Sequence, residues 1–469
     1  MLFNSFVFLL ILPLIFVIHW AIPAKYNQWR KLFLVLVSYL LYMNWKPAFA
    51  LVLLSVTLIT YGGGRLFDTI QDSNKKKNLV WLFALLGLLP LLVFKYYNFF
   101  NNNLSNGLAA IGLRFYIPGL NWAVPIGISF FTFQAVGYML DVYHKRIKAE
   151  KNFIDYLLFV SFFPQIASGP ISKADELLPQ IKKERMFNYD QAVSGLKYLL
   201  WGMFLKVVLA DRVGIYVDTV FDAYEKFSGI GCAIASVFYS IQIYADFAGY
   251  SLMAVGVGKV LGFDLINNFC RPYFAASITE FWKRWHISLT RWLTQQVYIP
   301  LGGSRCSKRR NYWNIFLTFM VSGIWHGANW TFIVWGCIHG VFQIVEKAFG
   351  WNKKASKGVV KAIRVLITFT VVTLAWVVFR SPSISDAFGL FGRYFTNTGK
   401  SIADTVTLAY IAIAIIPLLI LEFGKETFPK LFTRLVAVKV IRWTAYLVVF
   451  AMIVLLGVHD GSSFIYVSF

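Results

Sequence analysis

The chain contains 469 residues, of which 58% are hydrophobic and only 14% are charged, which excludes an ordinary soluble protein because so few charges cannot cover its surface. Its net charge is +23, from 45 Lys and Arg against 22 Asp and Glu. The basic residues are scattered between apolar runs. This distribution argues against a nucleic-acid-binding surface and is typical of the cytoplasmic loops of membrane proteins.

Apolar runs of about 18 residues or more recur from one end of the chain to the other and predict a polytopic helical membrane protein. The first run, Phe3 to Ile22, has no basic segment before it and is followed by a second run. We therefore interpret it as a retained span rather than a signal peptide. We predict about ten spans, near residues 3–22, 32–45, 47–64, 79–97, 122–143, 191–210, 230–258, 359–379, 405–422 and 440–458.

Basic blocks between the spans predict their orientation, because cytoplasmic loops carry an excess of Lys and Arg. The blocks are KKK at 75–77, HKRIKAEK at 144–151, KKER at 182–185, SKRR at 307–310 and KKASK at 353–357. All of them fall on one side of the membrane if both termini lie outside, which is the orientation that we predict.

Two apolar stretches, 153–171 and about 313–345, do not fit simple crossings, because basic blocks flank each of them on both sides. Each should enter and leave on the same face, as a re-entrant element or a tight hairpin. Non-helical backbone at membrane depth is tolerated only where protein buries it or where it lines a watery cavity. We therefore predict a cavity inside the protein, with His326 in it.

The segment 280–293, EFWKRWHISLTRWL, repeats aromatic and leucine residues at helical spacing, with Lys283, Arg284 and Arg291 off that stripe. The pattern predicts an interfacial amphipathic helix whose aromatic face lies in the headgroup layer. Two interpretations remain open: the helix only follows the membrane surface, or its cations attract a phosphorylated donor. His286 within it is either an interfacial histidine or a catalytic one.

His326 lies deep inside an apolar run, where burying a titratable imidazole costs free energy. It is either a neutral histidine bonded to a neighbouring helix or a general base, since imidazole titrates near neutral pH without a large pKa shift. His339, near the end of the run, is more consistent with a structural role. The three histidines show no ligand spacing and the four cysteines no CxxC spacing, so we expect no metal site and no disulfide.

At these residues the sequence resembles the membrane-bound O-acyltransferase (MBOAT) family, and within it the branch that includes the alginate O-acetyltransferase membrane component. The shared text is FFPQIASGPI, DFAGYS, LGFDLINNFCRPYFAASITEFWKRWHISLTRWL, YIPLGG and SGIWHGANWTFIVWG. It covers roughly residues 120–345, the motif-bearing core of a single predicted membrane domain over 1–469. The resemblance implies an all-α fold with cytoplasmic and outer funnels, in a bacterial cytoplasmic (inner) membrane.

The resemblance also implies the roles of particular residues. His326 matches the family's catalytic histidine and His286 its second signature histidine. The ending FIYVSF resembles an aromatic motif of this branch, and in the related teichoic-acid D-alanylation system a similar tyrosine motif ends a small separate protein. By this resemblance Tyr466, in the carboxy-terminal tail 459–469, is the candidate acyl carrier. The alternative is that Tyr466 belongs to the outer aromatic belt.

A carrier would solve a physical problem, because a cytosolic thioester such as acetyl-CoA is too charged to cross about 30 Å of hydrocarbon. A tyrosine of pKa about 10 becomes nucleophilic once a base takes its proton, which is a role for His326. The resemblance implies acetyl-CoA as the donor, no permanently bound cofactor, a polysaccharide acceptor outside the cytoplasm and an SGNH-hydrolase-like partner that is secreted or membrane-anchored. Lys283, Arg284 and Arg291 are then candidates for attracting the donor phosphates.

The sequence departs from the branch at two places. Leu252 follows DFAGYS where Asp is usual, and Thr294 and Gln295 stand where Arg and Asp are usual before YIPLGG. These departures leave open which residues contact the donor and which molecule is the acceptor. Two alternative functions remain: D-alanyl transfer from a carrier protein toward teichoic acid, and a transporter or flippase. A transporter of the inverted-repeat kind needs broken helices at matching positions of two related halves, and we find no such halves.

Overall fold

The computed structural model describes residues 3, 5–70, 72–113, 118–351, 357–402, 404–458 and 464–465. Over these ranges the regular secondary structure is helical and no β-strand forms; one isolated bridge pairs Phe227 with Lys400. The prediction of an all-α polytopic protein is therefore confirmed.

The helices up to residue 182 include one long pair joined by a π-helical turn (Leu92–Tyr96) and several short elements. They are α1 (Phe6–Ala21), α2 (Asn27–Met43), α3 (Ala48–Thr69), α4 (Ser73–Leu91), α5 (Tyr97–Ala110), α6 (Ile128–Tyr143), α7 (Phe153–Ser161), α8 (Phe163–Ile166) and α9 (Ala174–Lys182).

The later helices are longer on average, and two further π-helical turns (Phe204–Ala210 and Thr294–Tyr298) interrupt them. They are α10 (Tyr189–Met203), α11 (Asp211–Phe221), α12 (Gly229–Val260), α13 (Ile278–Arg284), α14 (Ile287–Leu293), α15 (Lys308–His326), α16 (Trp330–Ala348), α17 (Gly358–Arg380), α18 (Ile384–Arg393), α19 (Thr405–Thr427), α20 (Pro429–Ala437) and α21 (Lys439–Leu456). Short 3₁₀ turns lie at Ala24–Tyr26, Tyr224–Lys226 and Pro272–Phe274.

Seven helical segments within the described ranges are long and apolar enough to cross a membrane, and each coincides with a predicted span. They are Ala48–Thr69, Asn74–Ala110, Tyr189–Phe221, Gly229–Val260, Gly358–Arg380, Thr405–Thr427 and Lys439–Leu456. The predicted number of about ten spans is higher than these seven segments. α1 and α2, predicted as two spans, form one apolar pair bent by 104°, and the run 122–143 yields only the 16 residues of α6.

The described residues divide into two compact units. The first lies within Met1–Leu196 and Ala254–Ile266, and the second within Lys197–Met253 and Asn267–Ser468. That the whole chain is a single membrane domain stays a prediction.

In the first unit α6 is buried along almost its whole length and packs against α3. The rings of Tyr138 and Tyr156 lie 4.5 Å apart at this core, and Lys31 forms an ion pair of 2.5 Å with Asp155. The irregular stretch 153–171 forms the short helices α7 and α8, which are too short to span a membrane by themselves.

In the second unit α15 and α16 form a hairpin with three residues between them. The two backbones approach so closely that a Cβ atom at Gly323 would stand 2.3 Å from the carbonyl oxygen of Phe332, and one at Gly336 would stand 2.4 Å from that of Phe319. Only glycine fits such an approach, as at other helix pairs in membranes. The tight hairpin predicted for 313–345 is therefore confirmed, and His326 lies at its turn.

Candidate active site

His326 is the last residue of α15 and is only 3% exposed. Three aromatic rings surround its imidazole: the centroids of Trp325 and Trp335 lie 4.9 Å away, and that of Phe379 lies 5.3 Å away. The indole Nε1 of Trp335 is buried and has no hydrogen-bond partner among the described residues. A buried donor of this kind calls for an explanation, and a ligand beside His326 would supply its acceptor.

The turn that presents His326 is fixed by local capping. The backbone becomes extended at Gly327, which ends α15. The side-chain oxygen of Asn329 then accepts a hydrogen bond of 3.1 Å from the N–H of Thr331 and so caps α16. The amide nitrogen of Asn329 also donates to the carbonyl oxygen of Pro382 at 2.8 Å, which ties the turn to the chain after α17.

His286 lies at a break in the helix that the sequence predicts over 280–293. α13 ends before it and α14 begins after it, and its backbone is left-handed, with φ of 43°. The backbone carbonyl of Asn268 accepts the N–H of Ile287 at 3.0 Å, and its side-chain oxygen accepts the N–H of Ser288 at 3.1 Å. These bonds satisfy the first donors of α14, and histidine tolerates left-handed backbone better than most residues.

The aromatic stripe of this segment does not lie in the headgroup layer, so that prediction is wrong. Phe281, Trp285 and Leu289 are buried inside the protein. Glu346 on α16 accepts the backbone N–H groups of Ile278 and Thr279, so α13 is held from the hairpin side. The segment is therefore a core element of the second unit rather than a surface helix.

The imidazole of His286 is fully buried, and the ring of Phe247 lies 4.6 Å from it. His286 lies outside the spanning helices, and burial lowers its pKa to about 3. The side chain is therefore neutral at pH 7, because the charged form would lose its hydration.

Trp325 brings the two signature histidines into one cluster. Its ring centroid lies 4.9 Å from that of His326 and 5.8 Å from that of His286. The structure therefore places two residues that are 40 positions apart in the sequence against the same indole ring.

His339 lies further along α16, and its contacts are those of a structural residue. Its Nδ1 accepts a hydrogen bond of 3.3 Å from the indole of Trp282, and its ring meets that of Trp335 edge-on, with centroids 4.9 Å apart. Within the described ranges no group of three His, Cys, Asp or Glu side chains is placed so as to hold a metal ion.

A cavity of about 250 Å³ lies between α13, α14, α15 and α16. Its polar lining includes Thr279, Thr290, Thr294, Tyr298, Thr318, Ser322, Gln343 and Lys347. His326, which the sequence analysis predicts to lie in a cavity, is not among the lining residues. Ser322, which is, precedes His326 by one helical turn on the same face of α15. The sequence analysis missed this lining, although the polar residues at 318 and 322 follow the four-residue spacing that leads to 326.

The three predicted donor-binding cations have different surroundings. Lys283 is exposed, whereas Arg284 forms ion pairs of 2.6 Å with Glu280 and 3.1 Å with Glu426. Arg291 is half-buried. None of the three is among the residues that line the cavity.

Two residues of the carboxy-terminal tail are described, and both contact the middle of α12. Phe464 is fully buried, with ring centroids 5.7 Å from Phe247 and 5.0 Å from Tyr250. The backbone N–H of Ile465 donates to Oδ2 of Asp246 at 2.8 Å. The tail therefore reaches the ring, Phe247, that also contacts His286.

The carboxylate that accepts this bond belongs to a buried ion-pair cluster. Lys206 lies 2.7 Å from Asp246 and 2.7 Å from Asp211, and the three side chains are at most 6% exposed. The predicted carrier Tyr466 follows Ile465 and lies outside the described residues.

Of the departures from the branch pattern, Thr294 lines the cavity and donates its hydroxyl to the carbonyl oxygen of Thr290 at 2.7 Å. Gln295 follows it in the π-helical turn Thr294–Tyr298. Leu252 is half-buried on α12. Thr294 is thus the changed residue that alters the lining of the cavity.

Comparison with known proteins identifies a family and several relatives of this chain. The family model of MBOAT, the membrane-bound O-acyltransferase family, matches residues 144–381. A probable alginate O-acetylase of Pseudomonas aeruginosa is 34% identical over 88% of this chain and 81% of the relative. A peptidoglycan O-acetyltransferase of Helicobacter pylori is 35% identical over 82% of this chain and 78% of the relative.

A more distant relative is the teichoic acid D-alanyltransferase of Bacillus subtilis, which is 30% identical over 54% of this chain and 68% of the relative. The matched family region contains both histidines of the cluster, and its members' names describe enzymes rather than transporters. The chain belongs to the membrane-bound O-acyltransferase family and is a multi-pass membrane O-acyltransferase.

Proposed function

We propose that this enzyme moves an acetyl group from cytosolic acetyl-CoA to a hydroxyl of an extracytoplasmic polysaccharide, with Tyr466 as the intermediate carrier. The names of the alginate and peptidoglycan relatives support a polysaccharide acceptor. A secreted or membrane-anchored partner of the SGNH-hydrolase type would complete the transfer. The positive-inside bias supports an inner-membrane protein whose termini lie outside.

The observation that carries this proposal is the seating of the tail beside the histidine cluster. Phe464 contacts Phe247, Phe247 contacts His286, and Trp325 joins His286 to His326. Ile465, the last tail residue that the structure describes, is bonded to the middle of α12. A tail in this position supports a relay between a base and an outer acceptor.

The chemistry follows from the groups present. His326 takes the phenol proton of Tyr466, and the phenolate oxygen attacks the thioester carbonyl carbon of the donor. The tetrahedral intermediate collapses with cleavage of the C–S bond, and the thiolate takes the proton back from the imidazolium. The indole N–H of Trp335 would stabilise the oxyanion, which would explain why this buried donor has no protein acceptor.

The second half of the reaction uses the ester on the tyrosine. A phenolate is a better leaving group than an alkoxide, because its conjugate acid has a pKa of about 10. A hydroxyl of the partner or of the polysaccharide attacks the ester carbonyl, and the acetyl group leaves with it. The hydroxyl proton returns to the tyrosine oxygen, so the enzyme regains its starting state.

The donor would approach through the cavity that leads along α15. The threonine hydroxyls and Gln343 are suited to bond the amides of a pantetheine arm, and Lys347 adds a positive charge for a phosphate. Lys283 and Arg291 remain candidates for the outer phosphates, whereas Arg284 is already engaged by two carboxylates.

The test is an assay with the purified full-length chain in lipid nanodiscs. Acetyl-CoA would be supplied together with an alginate or a peptidoglycan oligosaccharide, and the release of coenzyme A and the acetylation of the oligosaccharide would be measured. We expect release of coenzyme A by the native chain and a loss of about 10²- to 10⁴-fold in His326→Gln, with His144→Gln, an exposed histidine, as control. Turnover only with a D-alanyl carrier protein would instead favour D-alanyl transfer.

A further inference from the structure

A basic recess of about 840 Å³ lies in the first unit, where the end of α3, the start of α4 and the end of α6 meet. Its charged and titratable lining consists of Asp68, Lys76, Tyr143, His144, Lys145, Arg146 and Lys148. It contains neither signature histidine and none of the residues of the donor cavity described above.

The charges of this recess are unbalanced. Arg146 forms an ion pair of 2.8 Å with Asp141 behind it. Lys76, Lys145 and Lys148 have no ion-pair partner in the part of the chain that the structure describes, and Asp68 is the only carboxylate of the lining there. Several cations that share one concave site repel each other and raise the local potential for an anion.

The backbone of one lining residue is strained. Lys145 follows the carboxy-terminal end of α6 with φ of 58°, in the left-handed region that favours glycine. The N–H of Lys145 bonds to the carbonyl oxygen of Val142 at 3.0 Å, and the N–H of Arg146 bonds to that of Asp141 at 2.9 Å. This is the usual geometry of a helix end, but a lysine stands where glycine would cost less, which motivates a functional role for its side chain.

The recess adjoins the ends of two spanning segments. One span ends at Thr69 and the next begins at Asn74, and the lining includes residues on both sides of this break. We propose that this recess binds the phosphate-bearing headgroup of an anionic phospholipid. Lysine side chains near the ends of spans attract such headgroups, and the site is independent of the acyl transfer proposed above.

A soluble phosphate, such as that of coenzyme A, shares this chemistry and must be distinguished from a lipid. The position of the recess favours the lipid, because its lining residues adjoin the ends of two spans. The test therefore measures three probes: phosphatidylglycerol in a phosphatidylcholine background, coenzyme A and inorganic phosphate.

The experiment is native mass spectrometry of the full-length chain released from nanodiscs of phosphatidylcholine with a small fraction of phosphatidylglycerol. We expect the native chain to retain phosphatidylglycerol in preference to phosphatidylcholine, and Lys76→Ala with Lys148→Ala to reduce that retention about tenfold. The matched control is Lys75→Ala with Lys77→Ala, which removes the same charge beside the recess but not from its lining. We expect it to change retention less than twofold.

A second variant separates a binding role from a structural one. Lys145→Gly relieves the left-handed backbone, so we expect the melting temperature to rise while phosphatidylglycerol retention falls. Equal losses in the recess and control double variants would overturn the proposal, because they would indicate diffuse attraction to the membrane. Binding of coenzyme A or inorganic phosphate to the recess without a preference for phosphatidylglycerol would also overturn it.

Discussion

The hairpin that carries His326 and the site that holds the tail both use aromatic contacts, but they differ in what is added to them. The hairpin adds close backbone contact at Gly323 and Gly336. The tail, whose Phe464 is buried against aromatic rings, adds a hydrogen bond to Asp246, whose charge is balanced by Lys206 deep in the protein. Close packing thus distinguishes the hairpin and a buried charge distinguishes the tail site, so each can be disrupted without direct damage to the other.

The largest expected effect on stability is the loss of the buried cation. Lys206→Met would leave Asp211 and Asp246 without their partner, and breaking such a pair costs about 3–5 kcal/mol of unfolding free energy. Denaturant unfolding of the purified protein in detergent measures this change, and limited proteolysis measures release of the tail. The control is Lys259→Met, whose pair with the exposed Asp264 should be worth less than about 1 kcal/mol. Equal effects of the two substitutions would contradict a charge-held tail.

The next effect concerns the reaction rather than the fold. Trp335→Phe keeps a ring beside His326 but removes the buried N–H, and we expect coenzyme A release from acetyl-CoA to slow by about 10²-fold. Loss of an oxyanion donor lowers kcat with little change in KM, whereas damage to the hairpin would lower the melting temperature as well. An unchanged kcat would remove Trp335 from the mechanism.

A smaller effect tests the shape of the hairpin. Gly336→Ala would press a methyl group against the carbonyl oxygen of Phe319, and overpacking of this kind costs roughly 1–3 kcal/mol. Gly62→Ala on α3 is the matched control, because nothing lies within 4 Å of the added carbon and alanine favours a helix. Thermal unfolding should therefore move in opposite directions for the two variants.

The smallest effect lies outside both regions. Lys283 is exposed, so Lys283→Ala should leave the unfolding free energy within about 0.5 kcal/mol of the native value. If this lysine attracts the donor phosphates, KM for acetyl-CoA should rise a few-fold at low ionic strength and the rise should shrink in high salt. A KM that is independent of Lys283 at every salt concentration would exclude this residue from donor capture.

The sequence predicted the parts of this fold that depend on local pattern. Hydropathy located the spans and the flanking basic blocks indicated the α15–α16 hairpin, because both signals are local patterns of consecutive residues. The break at His286 was not predictable in this way, since the helical spacing continues through it. Asn268, eighteen residues earlier, makes the bonds that fix the break, and that is a tertiary contact.

The described residues contain fewer long apolar helices than the ten predicted spans for a related reason. An apolar run over 122–143 has the same composition whether it crosses a membrane or fills a protein core. Gly127, with φ of 72°, delays the start of α6 to Ile128, and 14 of the 16 residues of α6 are buried. The cavity lining was missed because it is assembled from four separate helices.

The most direct test of the account is the mass of the carboxy-terminal peptide after incubation of the purified protein with acetyl-CoA. We expect an added acetyl group on Tyr466 in the native chain and none in His326→Ala or Tyr466→Phe. An adduct in His326→Ala equal to that of the native chain would contradict His326 as the base that acts before the tail. Full acetyl transfer to an oligosaccharide by Tyr466→Phe would contradict the carrier itself.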